Sequence, residues 1–127
     1  MSFNVITKTN KVIVKVAANV IVGDIANFFN AYRKVIVNGK NLIILFDIRK
    51  LVLNITNTKF VTKLLSFFEE LKDYSEANIT ATAICISSNT IANIVSTADN
   101  ANQSPTKVSL FVSSDIKACK VFLRRYH

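Results

Sequence analysis

The clearest periodicity in the chain lies between residues 60 and 71, where Phe60, Val61, Leu64, Leu65, Phe68 and Leu71 recur at helical spacing and Lys63, Glu70 and Lys72 take the other face. One face of this segment must be covered by protein, and the pattern predicts a helix over 58–74. Just upstream, residues 42–46 (Leu-Ile-Ile-Leu-Phe) are unbroken apolar chain ending at Asp47, the mark of a strand buried on both faces. A polar bend at 54–58 (Asn-Ile-Thr-Asn-Thr) separates the two. If 42–46 is a parallel strand, this bend lies at its carboxyl end, where open α/β sheets place ligands and partners.

The rest of the chain repeats the theme. Residues 3–7 and 11–16 are β-prone runs, the second alternating Val12, Val14 and Val16 with Lys11, Ile13 and Lys15, and 7–10 can turn between them as a hairpin. Asp24 is placed to cap a helix whose Ile25, Phe28, Phe29, Tyr32 and Ile36 share a face, with Gly39 as a left-handed stop. Residues 79–87 are small or apolar in both alternating sets, as in a strand covered on both sides. A short helix with Ile91, Ile94, Val95 and Ala98 inward, an exposed loop over 99–106 and a strand over 107–112 follow. Asp115 then caps a last helix with Ile116, Cys119 and Leu123 in one stripe, flanked by Phe122.

The order is ββαβαβαβα, which predicts an α/β fold: a mostly parallel central sheet built on 42–46, 79–86 and 108–112, an N-terminal antiparallel hairpin at its edge, and helices packed on the sheet. No linker or repeat divides it, so 1–127 reads as a single domain. A chain of 127 residues, half of them hydrophobic, can bury a core without metal or disulfide. Every apolar stretch is interrupted before it reaches the length of a membrane span, and the start Met-Ser-Phe-Asn-Val lacks the shape of a secretory signal, so a cytoplasmic address is expected.

Charge changes the picture less than its size suggests. Sixteen basic residues against eight acids give +8, which favours anionic partners. They are spread along the chain with no arginine-rich block, and fourteen Asn beside abundant Ile and Lys point to a compositional bias, so the expectation is solvated lysines. Binding of nucleic acid stays as an alternative to be separated by its salt dependence. The Asn-x-Ser/Thr triplets at Asn54, Asn78 and Asn102 carry no weight without a secretory signal.

Catalytic chemistry is hard to assemble. Cys85 and Cys119 are too few and too distant in sequence for a disulfide framework or a zinc site, and read as two buried thiols. The one histidine, His127, ends the chain. Gly23 and Gly39 are the only glycines, too few for a phosphate-cradling loop. Residues 1–23 hold no acid, so Asp47 would have few companions around a hard cation in a receiver-type site. Glu69 and Glu70 are adjacent on a helix and point about 100° apart, so they cannot face one substrate. The expectation is a non-catalytic protein with no cofactor and no metal.

The element order, the strand ending Leu-Phe-Asp47, and the bend leading into a long amphipathic helix resemble the STAS domain, the fold of the anti-sigma factor antagonists, and in particular its SpoIIAA-like or STAS/SEC14-like relatives. The similarity spans nearly the whole chain and rests on pattern. Family members carry an acid at the end of this strand and an Asp-Ser-Ser-Gly segment at the helix start, whose serine is phosphorylated by a partner kinase. Here Asp47 matches the first acid, and the aligned segment Ile55-Thr56-Asn57-Thr58 keeps a hydroxyl at Thr56, with Ile55 for the acid and Thr58 for the glycine. The resemblance implies a regulatory module that docks a partner protein through Asp47, Asn54, Thr56, Asn57, Thr58 and Lys59, with a homodimer as one form of partner. Lipid-holding relatives imply a second alternative, an apolar ligand, set against the reading that Phe28, Phe29, Phe46, Phe60, Phe67 and Phe68 fill the core.

Overall fold

The structure, a computed structural model, describes residues 2–52, 54–86 and 109–126. Strands β1 (Phe3–Lys8) and β2 (Lys11–Val16) form the N-terminal antiparallel hairpin, in register from Phe3 opposite Val16 to Lys8 opposite Lys11. Its turn is tighter than 7–10, since only Thr9 and Asn10 separate the strands. Thr9 stands at a φ of 52°, as two-residue hairpin turns require at their first position. Strands β3 (Leu42–Asp47), β4 (Ile79–Cys85) and β5 (Ser109–Ser113) complete a five-stranded sheet of order β1-β2-β3-β4-β5, parallel from β2 onward.

Helix α1 (Val22–Asn38) connects β2 to β3. Helices α2 (Ile55–Glu70) and α3 (Lys72–Asn78) connect β3 to β4, and α4 (Ile116–Arg124) follows β5. The expected helix with Ile91 and Ile94 inward and the loop over 99–106 lie outside the described residues.

Several boundaries differ from the expectations, each for a local reason. The helix expected over 58–74 begins at Ile55, because the Asn54 side chain accepts the Asn57 N–H at 2.8 Å and closes the first turn there. The polar bend is thus the first turn of α2. The same segment breaks at Leu71, which leaves helical geometry while its side chain stays buried, and α3 resumes at Lys72. Asp24 is not the cap of α1. The helix starts two residues earlier with Ile21 as its uncapped N-terminal residue, and Asp24 sits in the first turn, accepting both the N–H and the hydroxyl of Ser2 at 2.9 Å. The Ser2 hydroxyl in turn accepts the Ile21 N–H at 2.8 Å, so Ser2 bridges the Asp24 carboxylate and the backbone at the start of the helix. Gly39 is extended (φ −86°, ψ 166°), not left-handed; a side chain there would collide with the buried Leu42. Close approach, rather than backbone freedom, selects that glycine.

Alternation along the strands divides the core in two. Val12, Val14, Val16, Ile44 and Phe46 point to one side, under α1 and α2. There Phe28, Phe29, Phe60 and Phe67 are buried and pack ring on ring, with Phe28 to Phe60 at 5.9 Å and Phe29 to Phe67 at 4.6 Å. Phe46 completes the cluster through half-buried Phe68 at 5.4 Å, so the phenylalanines do fill the core. On the other side Ile43, Leu45, Ala81, Ala83 and Cys85 lie under Cys119 and Leu123 of α4. Phe122 of α4 stacks on Phe111 of β5 at 4.9 Å.

Candidate functional site

Two loops leave the carboxyl ends of β2 and β3 and run side by side. The loop after β3 is anchored by Ile48, whose N–H reaches the Cys85 carbonyl at 3.0 Å, and by Leu51, which turns back to the Ile48 carbonyl; both side chains are buried. Val52 then donates to the Ala18 carbonyl of the neighbouring loop at 3.0 Å.

Asn57 fastens the junction. Its side-chain oxygen accepts the Val20 N–H at 2.9 Å, and its amide nitrogen donates to the Ala18 and Val52 carbonyls at 2.8 and 2.7 Å. With 0 % exposure, Asn57 presents no surface to a partner; it pairs the buried Val20 N–H and the Val52 carbonyl and adds a second donor to the Ala18 carbonyl. Asn54 adds a side-chain bond to Asn19 at 3.0 Å.

What the junction displays is apolar. Ile21 and Val22 are 59 % and 71 % exposed on one loop, and Val52 and Ile55 are 45 % and 77 % exposed on the other. The other large exposed hydrophobics among the described residues are Val37, Tyr74 and Val121. The nearest sequence signal was an isoleucine inside the polar stretch 54–58, and the pattern gave no reason to pair it with Ile21. The first turn of α2 carries no acid, Thr56 and Thr58 are half-buried there, and Lys59 is exposed.

Asp47 is separated from this group. Alternation along β3 turns it to the α4 side of the sheet, whereas Asn54, Thr56, Asn57, Thr58 and Lys59 begin a helix on the opposite side. Both Asp47 oxygens are taken by the Arg49 guanidinium at 2.8 Å, and this pairing holds its carboxyl below the usual range, with a smaller contribution from Lys15. Beside the pair, Ser2, Asn4, Lys15, Val16, Ala17 and Lys50 help to line an open cleft of about 550 Å³.

Cys85 and Cys119, 34 residues apart, meet beneath α4 as free buried thiols, and burial pushes both upward, Cys119 to about 12. They are therefore protonated and poor nucleophiles.

The tertiary structure also sorts the charges. Helices α1, α2 and α3 hold five cations (Arg33, Lys34, Lys59, Lys63, Lys72) and five acids (Asp24, Glu69, Glu70, Asp73, Glu76), which cancel. The α4 side gathers Lys8, Lys11, Lys15, Arg49 and Lys50 from the strands and the turn after β3. Lys117, Lys120, Arg124 and Arg125 join them from α4 and its end. Only Asp47 and Asp115 oppose them among the described residues, the first paired with Arg49 and the second capping α4 through the Lys117 N–H at 2.9 Å.

Comparison with family models, curated proteins and solved structures finds no match to this chain. The fold and these surfaces define an α/β protein with a five-stranded mixed sheet and a rigid, apolar-tipped loop junction at its carboxyl edge. No helix among the described residues is long and apolar enough to cross a membrane.

Proposed function

We propose that this chain is a non-catalytic, STAS-like interaction module that docks a partner protein through the paired loops after β2 and β3 and the first turn of α2. The observation that carries this reading is the exposure of Ile21, Val22, Val52 and Ile55 on the segments that Asn57 ties together through Ala18, Val20 and Val52. Contiguous exposed apolar surface costs solubility unless something covers it. A surface held by buried hydrogen bonds loses little further entropy on docking. The partner is an apolar segment with acidic flanks, because the amino end of α2 carries the positive pole of the helix dipole with Lys59 and no first-turn acid. In this reading Thr56 is the position at which a phosphate, or Glu in its place, blocks the docked segment by bulk and desolvation. The lipid-like alternative draws no support from the phenylalanines, whose rings pack on one another.

The test is quantitative affinity capture from the source organism with the wild-type chain, Thr56→Ala, Ile55→Asp and Thr56→Glu as baits, each with an unchanged melting temperature. The expected result is a protein held by the wild type and by Thr56→Ala and lost with both acidic variants. Recovery of the same proteins by all four baits overturns the reading. Sedimentation of the same set identifies the occupant as a second copy of the chain if Ile55→Asp turns a dimer into a monomer.

A further inference from the structure

The strand pairing and the seat of α4 bring together basic residues that the sequence keeps far apart. Phe3 and Val5 of β1 face the aromatic core, so Asn4, Ile6 and Lys8 face the other way, and Lys15, Ile13 and Lys11 stand opposite them on β2. Ile13 is half-buried against the cluster beneath α4 and Ile6 is half-buried beside it, whereas Asn4, Lys8, Lys11 and Lys15 are exposed. They form a floor two strands wide, roughly 10 Å across, with Lys50 at its end beside the cleft.

Helix α4 forms the wall. Phe122 leans toward β5, the far edge of the sheet, by stacking on Phe111. At about 100° per residue, Lys117, Lys120 and Arg124 fall in one stripe on the opposite flank, turned toward the floor, and all three are exposed. The Arg49 guanidinium is engaged with Asp47 and is not needed for this surface.

We infer that this step between the floor of β1 and β2 and the basic flank of α4 binds the phosphate backbone of single-stranded nucleic acid. The step decides between polyanions. The helix stands about 10 Å above the sheet, so a planar anionic bilayer resting on α4 misses the lysines of the floor, whereas a flexible strand lies in the angle and meets both rows. The width of the floor suits one strand rather than a duplex. The floor has no aromatic side chain for a base to stack on, only Asn4, Ile6 and Ile13 between the lysines, so contacts are to phosphate and carry no sequence preference. This inference is independent of the apolar junction, which lies on the side of the neutral helices.

The experiment is fluorescence anisotropy of 20-nucleotide oligo-U, oligo-A and a duplex against the wild-type protein in a salt series. Six phosphate contacts on a single strand give a slope of log affinity against log salt near −4, at about 0.7 per contact. Affinity then falls about 300-fold between 50 and 200 mM salt. The two homopolymers should bind alike and the duplex more weakly. Lys11→Gln/Lys15→Gln, and separately Lys117→Gln/Lys120→Gln, should each flatten the slope by about 1.4. Lys34→Gln/Lys63→Gln on the neutral helices should leave it unchanged. No binding at 50 mM salt, or an equal loss with the Lys34/Lys63 pair, overturns the inference. Binding to phosphatidylserine vesicles without binding to the oligonucleotides overturns it in favour of a membrane surface.

Discussion

The two sides of the sheet solve the burial problem differently. Beneath α1 and α2 the strands present branched and aromatic side chains, and helices of 17 and 16 residues bring phenylalanines that interlock with them. Beneath α4, β3 presents Ile43 and Leu45 but β4 presents only Ala81, Ala83 and Cys85, and a helix of nine residues sits on this smaller surface. Apolar burial scales with area, so the first side holds most of the folding free energy. The second is covered over β3, β4 and β5 and reaches only Ile13 of β2, while Asn4, Lys8, Lys11 and Lys15 stay exposed, which leaves room for the basic step. One side is built for cohesion and the other for display.

That comparison breaks most visibly through the aromatic cluster. Phe60 has no exposed surface and lies against Phe3, Phe28 and Phe29, so Phe60→Ala should cost roughly 3–5 kcal/mol in urea unfolding. Cys119→Ala, equally buried on the α4 side, removes one sulfur from a small-residue core and should cost only about 1 kcal/mol. Similar costs for the two would show that the sides share the stability evenly.

A smaller effect comes from the loop junction. Replacing Asn57 by Leu keeps the branching of the side chain but strands the Val20 N–H and the Val52 carbonyl and leaves the Ala18 carbonyl with only its Val52 donor, and should cost about 3 kcal/mol. Hydrogen exchange should report the Val20 amide opening first. An Asn57→Leu protein of unchanged stability and exchange would mean that the loops are held by packing alone, and would remove the rigidity on which docking depends.

The smallest effect is the pH response of Asp47. Its carboxyl is lowered in the folded state by Arg49, so the pair stabilises the protein above the unfolded value of about 3.9, and this contribution is lost as pH falls through the lowered folded value. The pair is partly exposed to solvent and should be worth less than about 1 kcal/mol at neutral pH. Asp47→Asn should narrow the difference in urea midpoint between pH 7 and pH 3. An unchanged difference would assign the acid limb to other carboxylates, Asp24 among them, whose carboxyl is lowered by its bonds to Ser2.

Legibility followed the range of the interactions. The strands at Lys11–Val16 and Leu42–Asp47 and the helix after Asp115 could be read because alternation and helical spacing are imposed by backbone geometry on neighbouring residues. The start of α1 was misplaced because Ser2, 22 residues upstream of Asp24, supplies what a local cap would have supplied. In the candidate site, Lys59 was placed at the start of a helix, whereas Asn54 was put in a bend four residues before it and is in fact the N-cap of α2. Asn57 was misread as surface because nothing local distinguishes an asparagine that will serve two buried loops from one facing water.

By itself, the sequence determined the α/β class, the order of the elements and which residues of each strand and helix turn inward, since each of these depends on a period of two or about 3.6 residues along one stretch of chain. Only the tertiary structure decided what lies beside what. It parted Asp47 from the helix start that follows it, drew Cys85 and Cys119 together, and collected Lys8, Lys11 and Lys15 with Lys117, Lys120 and Arg124 on one side while the charges of the other side cancelled. Those neighbours are fixed by strand register and by the face on which a helix lands. Both arise from packing across the whole sheet and leave no local mark in the chain.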